Sequence, residues 1–242
     1  MRAITQYRLR TRPLASHKIP SWVHDVPAVQ VLKRIGTFEF NSPITIFTGD
    51  AGVGKSTLLE GIARSYGFNL IGGPLGFDRA GPFDPLYGLA TVTLGLHAKE
   101  GYFLRGESHF AMATRYGNSA PNATNLHHMS HGESVMHIAQ TFHANGLYLL
   151  DEPESGLSAI RQMALLALLA DITRDGAQVI MVTHSPILLA LPNAHIIELD
   201  DDATFSTPTL ETTTAYRALR DFLADPETIA QFMVDVTDPG RT

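Results

Sequence analysis

The chain contains no cysteine, which excludes a disulfide framework and a thiolate metal site. It has no uninterrupted apolar run of about 18 residues, so no membrane-spanning helix is expected. Its opening residues, Met1-Arg-Ala-Ile-Thr-Gln-Tyr-Arg8, lack the apolar core of a signal peptide. These absences suit a cytoplasmic protein with no direct membrane insertion. There is no excess of positive charge. The net charge of −6 excludes a polycation built for phosphate backbones. The local exception, Arg2, Arg8, Arg10, Arg12 and Lys18, reads as a solvated basic edge strand or as a contact for a nucleic acid or an acidic partner. No internal repeat, heptad array or low-complexity tract is evident. The 242 residues, 44% apolar and 17% charged, are enough for one large globular domain with a sizeable core.

The most informative stretch is Gly49-Asp-Ala-Gly-Val-Gly-Lys-Ser56. It fits G-x-x-x-x-G-K-[ST], a loop that cradles nucleotide phosphates. Pro43-Ile-Thr-Ile-Phe-Thr48 before it has strand character, and Thr57 to Arg64 after it reads as a helix stopped near Gly67. Strand, glycine loop and helix are the context the motif needs. A triphosphate carries several negative charges that must be met without bulky side chains in the way. Gly49, Gly52 and Gly54 let the backbone approach closely, and the freed N–H groups form an anion nest at a helix N-terminus. Residues 49–57, that is Gly49, Asp50, Ala51, Gly52, Val53, Gly54, Lys55, Ser56 and Thr57, are therefore the expected nucleotide-binding loop. Lys55 can reach the β- and γ-phosphates, and the Ser56 hydroxyl can take a place on Mg²⁺.

Residues 1–48 read as short strands and turns leading into this loop. Residues 68–88, rich in glycine and proline, read as a loop long enough to suggest function. Thr91 to His97 and Tyr102 to Arg105 suggest a hairpin turning at Lys99-Glu-Gly101. Residues 108–129 are polar and read as irregular. Gly132 to Asn145 has Val135, Ile138, Ala139 and Phe142 on one helix face. Ser158 to Arg174 reads as a long helix with Ile160, Met163, Leu166, Leu169 and Ile172 towards the core. Gly146–Leu150, Gln178–Thr183 and His195–Leu199 read as strands, with Pro186 opening a short helix between the last two. Thr213 to Val236 reads as a helical tail broken near Asp225-Pro226. The alternation predicts an α/β fold with a mostly parallel sheet flanked by helices.

Leu147-Tyr-Leu-Leu-Asp151-Glu152 has the form of a Walker B strand, delivering a carboxylate to the sheet's C-terminal end. Asp151 is the expected Mg²⁺ residue. Glu152 is the expected catalytic base that orients the attacking water, with Glu154 as its rival. Ser130 and Glu133 form S-x-x-E, a capping box ahead of an apolar helical face. With the Gly132 backbone they make a second anion-binding helix terminus, or simply a well-capped helix. His127, His128, His131, His137 and His143, with His109 nearby, invite a metal reading. The glycine at 132 and the capping box place His127 and His131 outside the helix, however, and they read as polar loop or switch residues.

The order of P-loop, Ser130-His-Gly-Glu133, Asp151-Glu152 and Thr183-His184 resembles the ATP-binding-cassette (ABC) ATPases from about Ile44 to Leu199. Ser130-His-Gly-Glu133 is similar to that class's signature motif, Ser155-Gly-Leu-Ser158 to its D-loop, and His184 to its switch histidine. Gly101-Tyr-Phe-Leu-Arg-Gly-Glu-Ser108, Tyr148-Leu-Leu-Asp-Glu-Pro-Glu154 and Thr183-His-Ser-Pro-Ile-Leu-Leu189 look like the small soluble bacterial proteins labelled "AAA family ATPase" or "predicted ATPase". Those are related to the ABC ATPases of chromosome maintenance and recombination. The resemblance implies a P-loop NTPase fold of ABC type with an antiparallel N-terminal β part. It implies one domain over 1–242, with a core at about 38–200 and a helical tail at about 211–236. It implies an ATPase that uses ATP and Mg²⁺ and forms an ATP-dependent homodimer. Each ATP would lie between residues 49–57 of one subunit and Ser130, Gly132 and Glu133 of the other, with Glu152 and His184 catalytic. The partner on which such a dimerisation switch would act, a protein or a nucleic acid, is not named by any motif.

The chain departs from the class in places. Asp50, Ala51 and Val53 stand where Glu, Asn and Ser are common, and His131 stands where transporters carry glycine. No glutamine occurs between Ser56 and Gln140, so the Q-loop glutamine is missing, and Glu107 is the candidate to replace it as a metal residue. The missing glutamine also weighs against the alternative role, nucleotide-binding subunit of an ABC transporter. A P-loop kinase or GTPase is disfavoured because no N-K-x-D segment is present.

Overall fold

The computed structural model describes residues 2–12, 14, 19–77, 86–106 and 129–237. Among the described residues the main sheet has seven strands: β3 (Ile44–Gly49), β4 (Gly73–Pro74), β6 (Gly101–Arg105), β7 (Leu147–Asp151), β8 (Gln178–Val182), β9 (His195–Leu199) and β10 (Phe205–Ser206). Their order is β10-β9-β3-β8-β7-β6-β4. The inner neighbours β9, β3, β8, β7 and β6 pair in parallel, while β10 and β4 join antiparallel at the two edges. A second, antiparallel sheet has the order β2-β1-β5, with β1 at Ile4–Leu9, β2 at Thr37–Glu39 and β5 at Ala90–Leu94.

The central strands are apolar on both sides, as a parallel sheet covered on both faces requires. Their side chains divide by the strand period of two. Phe47, Leu147, Leu149, Ile180, Val182, Ile197 and Leu199 enter one core with α2 (Lys55–Tyr66) and the antiparallel sheet. Ile44, Ile46, Tyr148, Leu150, Val179, Met181 and Ile196 enter the other. That second core is closed by α3 (His131–Ala139), α4 (Ala159–Arg174) and α5 (Pro186–Leu189). Helices α6 (Thr214–Ala224) and α7 (Pro226–Thr237) follow, broken at Asp225-Pro226 as the sequence predicts. Among the described residues no helix is long and apolar enough to cross a membrane.

The antiparallel sheet is tied to the main one by a buried amide. Gln178 Oε1 accepts from the backbone N–H groups of Ala3 and Ile4, both at 2.8 Å. Gln178 Nε2 donates to the Ile4 carbonyl at 2.9 Å. All three partners are buried, so losing the amide would orphan them at about 1–3 kcal/mol each.

Several sequence expectations need correction. Residues 1–48 are not only strands and turns: α1 spans Pro27–Ile35, with Ala28, Val29, Val31 and Leu32 buried. Pro27 opens it and Gly36, at φ 72°, ends it. The expected hairpin is absent. β5 pairs with β1, whereas β6 enters the main sheet beside β7. Both segments form strands as expected; their partners are chosen by which core they face, which local pattern does not encode. The segment at 68–88 is not all loop, because Gly73–Pro74 pairs with β6, and residues 78–85 lie outside the described ones. The helix expected to reach Asn145 stops at Ala139, although Phe142 remains buried. His131 is its first residue rather than a loop residue outside it. On α4 the apolar positions Ile160 and Met163 are 79% and 56% exposed, and Leu165, Leu169 and Ile172 supply the buried face. The amino end of α4 lies at the sheet's rim, beyond the core that its later turns cover.

Candidate nucleotide site

The parallel strands all deliver their C-terminal ends to one edge. Arg105 pairs in register with Asp151, and Asp151 with Val182, which also stands beside Phe47. The P-loop, Arg105, Asp151-Glu152 and Thr183-His184 therefore meet on the rim where open α/β sheets bind ligands.

Gly49, Gly52 and Gly54 hold φ of 120°, 85° and 93°. Gly54 is also required by packing: a Cβ there would sit 2.3 Å from Val26 Cγ1 at the entrance to α1. The Ala28 amide donates to the Val53 carbonyl at 2.9 Å, so the unpredicted helix α1 braces the loop from behind. Lys55 is 4% exposed. Its Nζ donates to the carbonyls of Gly49 at 2.9 Å and Asp50 at 2.5 Å, which curls the loop around the ammonium. Burial pushes its pKa down, while Glu152, Asp50 and Asp151 push it back up.

Ser56 Oγ donates to Asp151 Oδ1 at 2.8 Å, bringing together the two residues expected at the metal. Asp151 is 7% exposed. One hard carboxylate oxygen and one hydroxyl at the mouth of a phosphate loop fit Mg²⁺, which keeps waters and leans on substrate phosphates. Among the described residues no group of three or more His, Cys, Asp or Glu side chains could hold a metal ion. Glu107, the third expected metal residue, lies outside the described residues, as do Lys18, His109, His127 and His128.

Glu152 follows at φ 48°, its N–H donating to the Val182 carbonyl at 2.9 Å. Its carboxylate lies 3.6 Å from His184 Nε2, and both side chains are about half exposed. The rival Glu154 is engaged otherwise: its Oε1 accepts from the His184 N–H at 2.8 Å. Glu154 thus fixes the backbone that carries the histidine, and Glu152 is the carboxylate left facing solvent. Gln162, which sequence reasoning overlooked, joins two loops. Its Nε2 donates to the Leu157 carbonyl at 3.0 Å and its Oε1 accepts from Ser185 Oγ at 2.6 Å.

The capping box is present. Ser130 Oγ accepts from the Glu133 N–H at 3.4 Å, and Glu133 Oε2 accepts from the Ser130 N–H at 2.9 Å and from Ser130 Oγ at 2.7 Å. These bonds with Ser130, and Arg161 at 3.6 Å, hold the Glu133 carboxyl below its usual pKa. At Gly132 a Cβ would stand 2.5 Å from the Gly156 carbonyl oxygen, so this helix terminus packs directly on the 155–158 turn.

The other residue that sequence reasoning missed is Arg105. Its Nη2 lies 2.6 Å from Glu60 Oε1, its Nη1 donates to the Leu70 carbonyl at 2.9 Å, and its Nε is 3.6 Å from Asp151 Oδ2. A basic residue ending an apolar strand was the signal, but the hairpin reading hid it.

Residues 107–190 match the family described as "AAA domain, putative AbiEii toxin, Type IV TA system". No curated protein matches the chain. Among 92 matching chains of solved structures, one is described as "An inward-facing conformation of a putative metal-chelate type ABC transporter". It is 20% identical with a TM-score of 0.46, over 75% of this chain and 79% of that one. The family match covers residues 107–190, and with the strand, glycine loop and helix at residues 44–66 it supports a P-loop NTPase fold.

Proposed function

We propose that the protein is a cytoplasmic Mg-ATP hydrolase that works as a nucleotide-driven dimerisation switch for a protein or nucleic-acid partner. The observation that carries this reading is the bond of Ser56 Oγ to Asp151 Oδ1 at 2.8 Å, beside the buried Lys55 and the Glu152–His184 pair. The backbone N–H groups of residues 49–57 hold the phosphates, and Lys55 leaves its carbonyl partners for the β- and γ-oxygens. Ser56 and Asp151 hold Mg²⁺, which neutralises charge on the phosphates when bound. Glu152 orients the attacking water and accepts its proton, and His184 donates towards the γ-phosphate. The helix terminus at Ser130, Gly132 and Glu133 serves a nucleotide held by a second subunit. Two positive helix ends meeting one γ-phosphate favour a closed dimer with ATP over one with ADP.

Phosphate release from ATP tests this reading. The wild-type protein is expected to hydrolyse ATP in a Mg²⁺-dependent manner, and Lys55→Ala to lose binding and turnover. Unchanged hydrolysis by Lys55→Ala would remove the P-loop from the account.

A further inference from the structure

We propose that Arg105 is the positioning residue of the cation site, holding one oxygen of Asp151 so that the other alone serves the divalent cation that accompanies the nucleotide. This rests on the assignment of Ser56 and Asp151 to that cation. Helix α2 carries Ser56 and, one turn later on the same face, Glu60. Ser56 Oγ engages Asp151 Oδ1 at 2.8 Å. Glu60 anchors Arg105 at 2.6 Å, and the Arg105 Nε faces Asp151 Oδ2 at 3.6 Å. Both oxygens of the Walker B carboxylate are thus addressed by groups fixed to one helix.

The guanidinium is itself immobilised. The Leu70 carbonyl accepts from Nη1 at 2.9 Å, and the Phe103 ring lies 5.8 Å beneath the guanidinium carbon. A planar cation pinned on three sides cannot follow Asp151 if the carboxylate rotates, so it sets the rotation. It also places a fixed positive charge behind Oδ2. A hard cation entering the site is confined to Oδ1, the side that faces Ser56 and the P-loop. Losing a partner that orients a metal's carboxylate ligand in this way typically costs about 10- to 100-fold in metal affinity.

The test is the binding of a fluorescent ATP analogue, titrated in excess Mg²⁺ and in excess EDTA. It is run on the wild type, on Arg105→Met and on the double variant Glu60→Gln/Arg105→Met, which removes the guanidinium without stranding the Glu60 charge. The wild type is expected to bind more tightly with Mg²⁺. Both variants should lose about 10- to 100-fold of that enhancement and keep their affinity in EDTA. Where the single variant folds poorly, the double variant decides. If the variants keep the full Mg²⁺ enhancement, or lose affinity equally in Mg²⁺ and EDTA, Arg105 is a structural ion pair and the proposal is overturned. If the wild type shows no Mg²⁺ enhancement, the Ser56–Asp151 assignment fails first, and the role of Arg105 falls with it.

Discussion

Glu152 holds φ at 48°, a left-handed conformation that costs an L-residue roughly 1–2 kcal/mol. The strain places its carboxylate out over the rim, 3.6 Å from His184 Nε2, instead of continuing the strand past Asp151. Strain of this kind persists where the surroundings over-determine it, here through the bond from its N–H to the Val182 carbonyl. Glycine adopts the same angle without penalty but adds about 0.5–1 kcal/mol of unfolded-chain entropy. Glu152→Gly should therefore abolish hydrolysis while leaving stability in urea unchanged or raised by up to about 1 kcal/mol. A clear loss of stability would mean that the conformation stores no strain. The residue scale also shows what was legible beforehand. Lys55, Ser56, Asp151 and Glu152 stand in motifs whose spacing brings them to notice, and the structure gathers them on one rim. Arg105 and Gln162 act through partners 46 and 23 positions away in the chain, Asp151 and Ser185, and no local pattern announces such pairs.

At the scale of elements, the amino end of α3 and the 155–158 turn form one unit. Gly132 has no room for a side chain, since a Cβ would lie 2.5 Å from the Gly156 carbonyl oxygen. Gly156 in turn holds φ 74°, with its own absent Cβ 2.6 Å from the His131 ring. Gly132→Ala must push these two segments apart, at a cost of about 1–3 kcal/mol. Hydrogen exchange is expected to quicken at residues 154–158 and 130–134, with the β3 and β8 strands unchanged. Unaltered exchange at 154–158 would show that the two segments are not coupled. The capping box and the apolar face of α3 were readable because both are local. The helix at Pro27–Ile35 was readable in principle, with proline at its start and glycine at its end, yet it was masked by the strand character of its surroundings. The face of α4 was misassigned at Ile160 and Met163 because periodicity finds an apolar stripe but not where the core beneath it ends.

At the scale of the whole molecule, the parallel sheet collects loop, carboxylates and histidine on one rim, while α3, with its capped amino end, packs against the second core. The alternation of helices with apolar strands made the α/β class readable. Which strands pair across two sheets was not, as β5 and β6 demonstrate, because pairing depends on contacts distant in sequence. The exposed Ile160 and Met163 stand just beyond the 155–158 turn, where a second copy would approach in the proposed sandwich. The most direct measurement of the central claim is the mass of Glu152→Gln in solution by light scattering, with and without Mg-ATP. The account predicts a species of 26.4 kDa without nucleotide and twice that mass with Mg-ATP bound. A protein that binds Mg-ATP and remains at the monomer mass would contradict it.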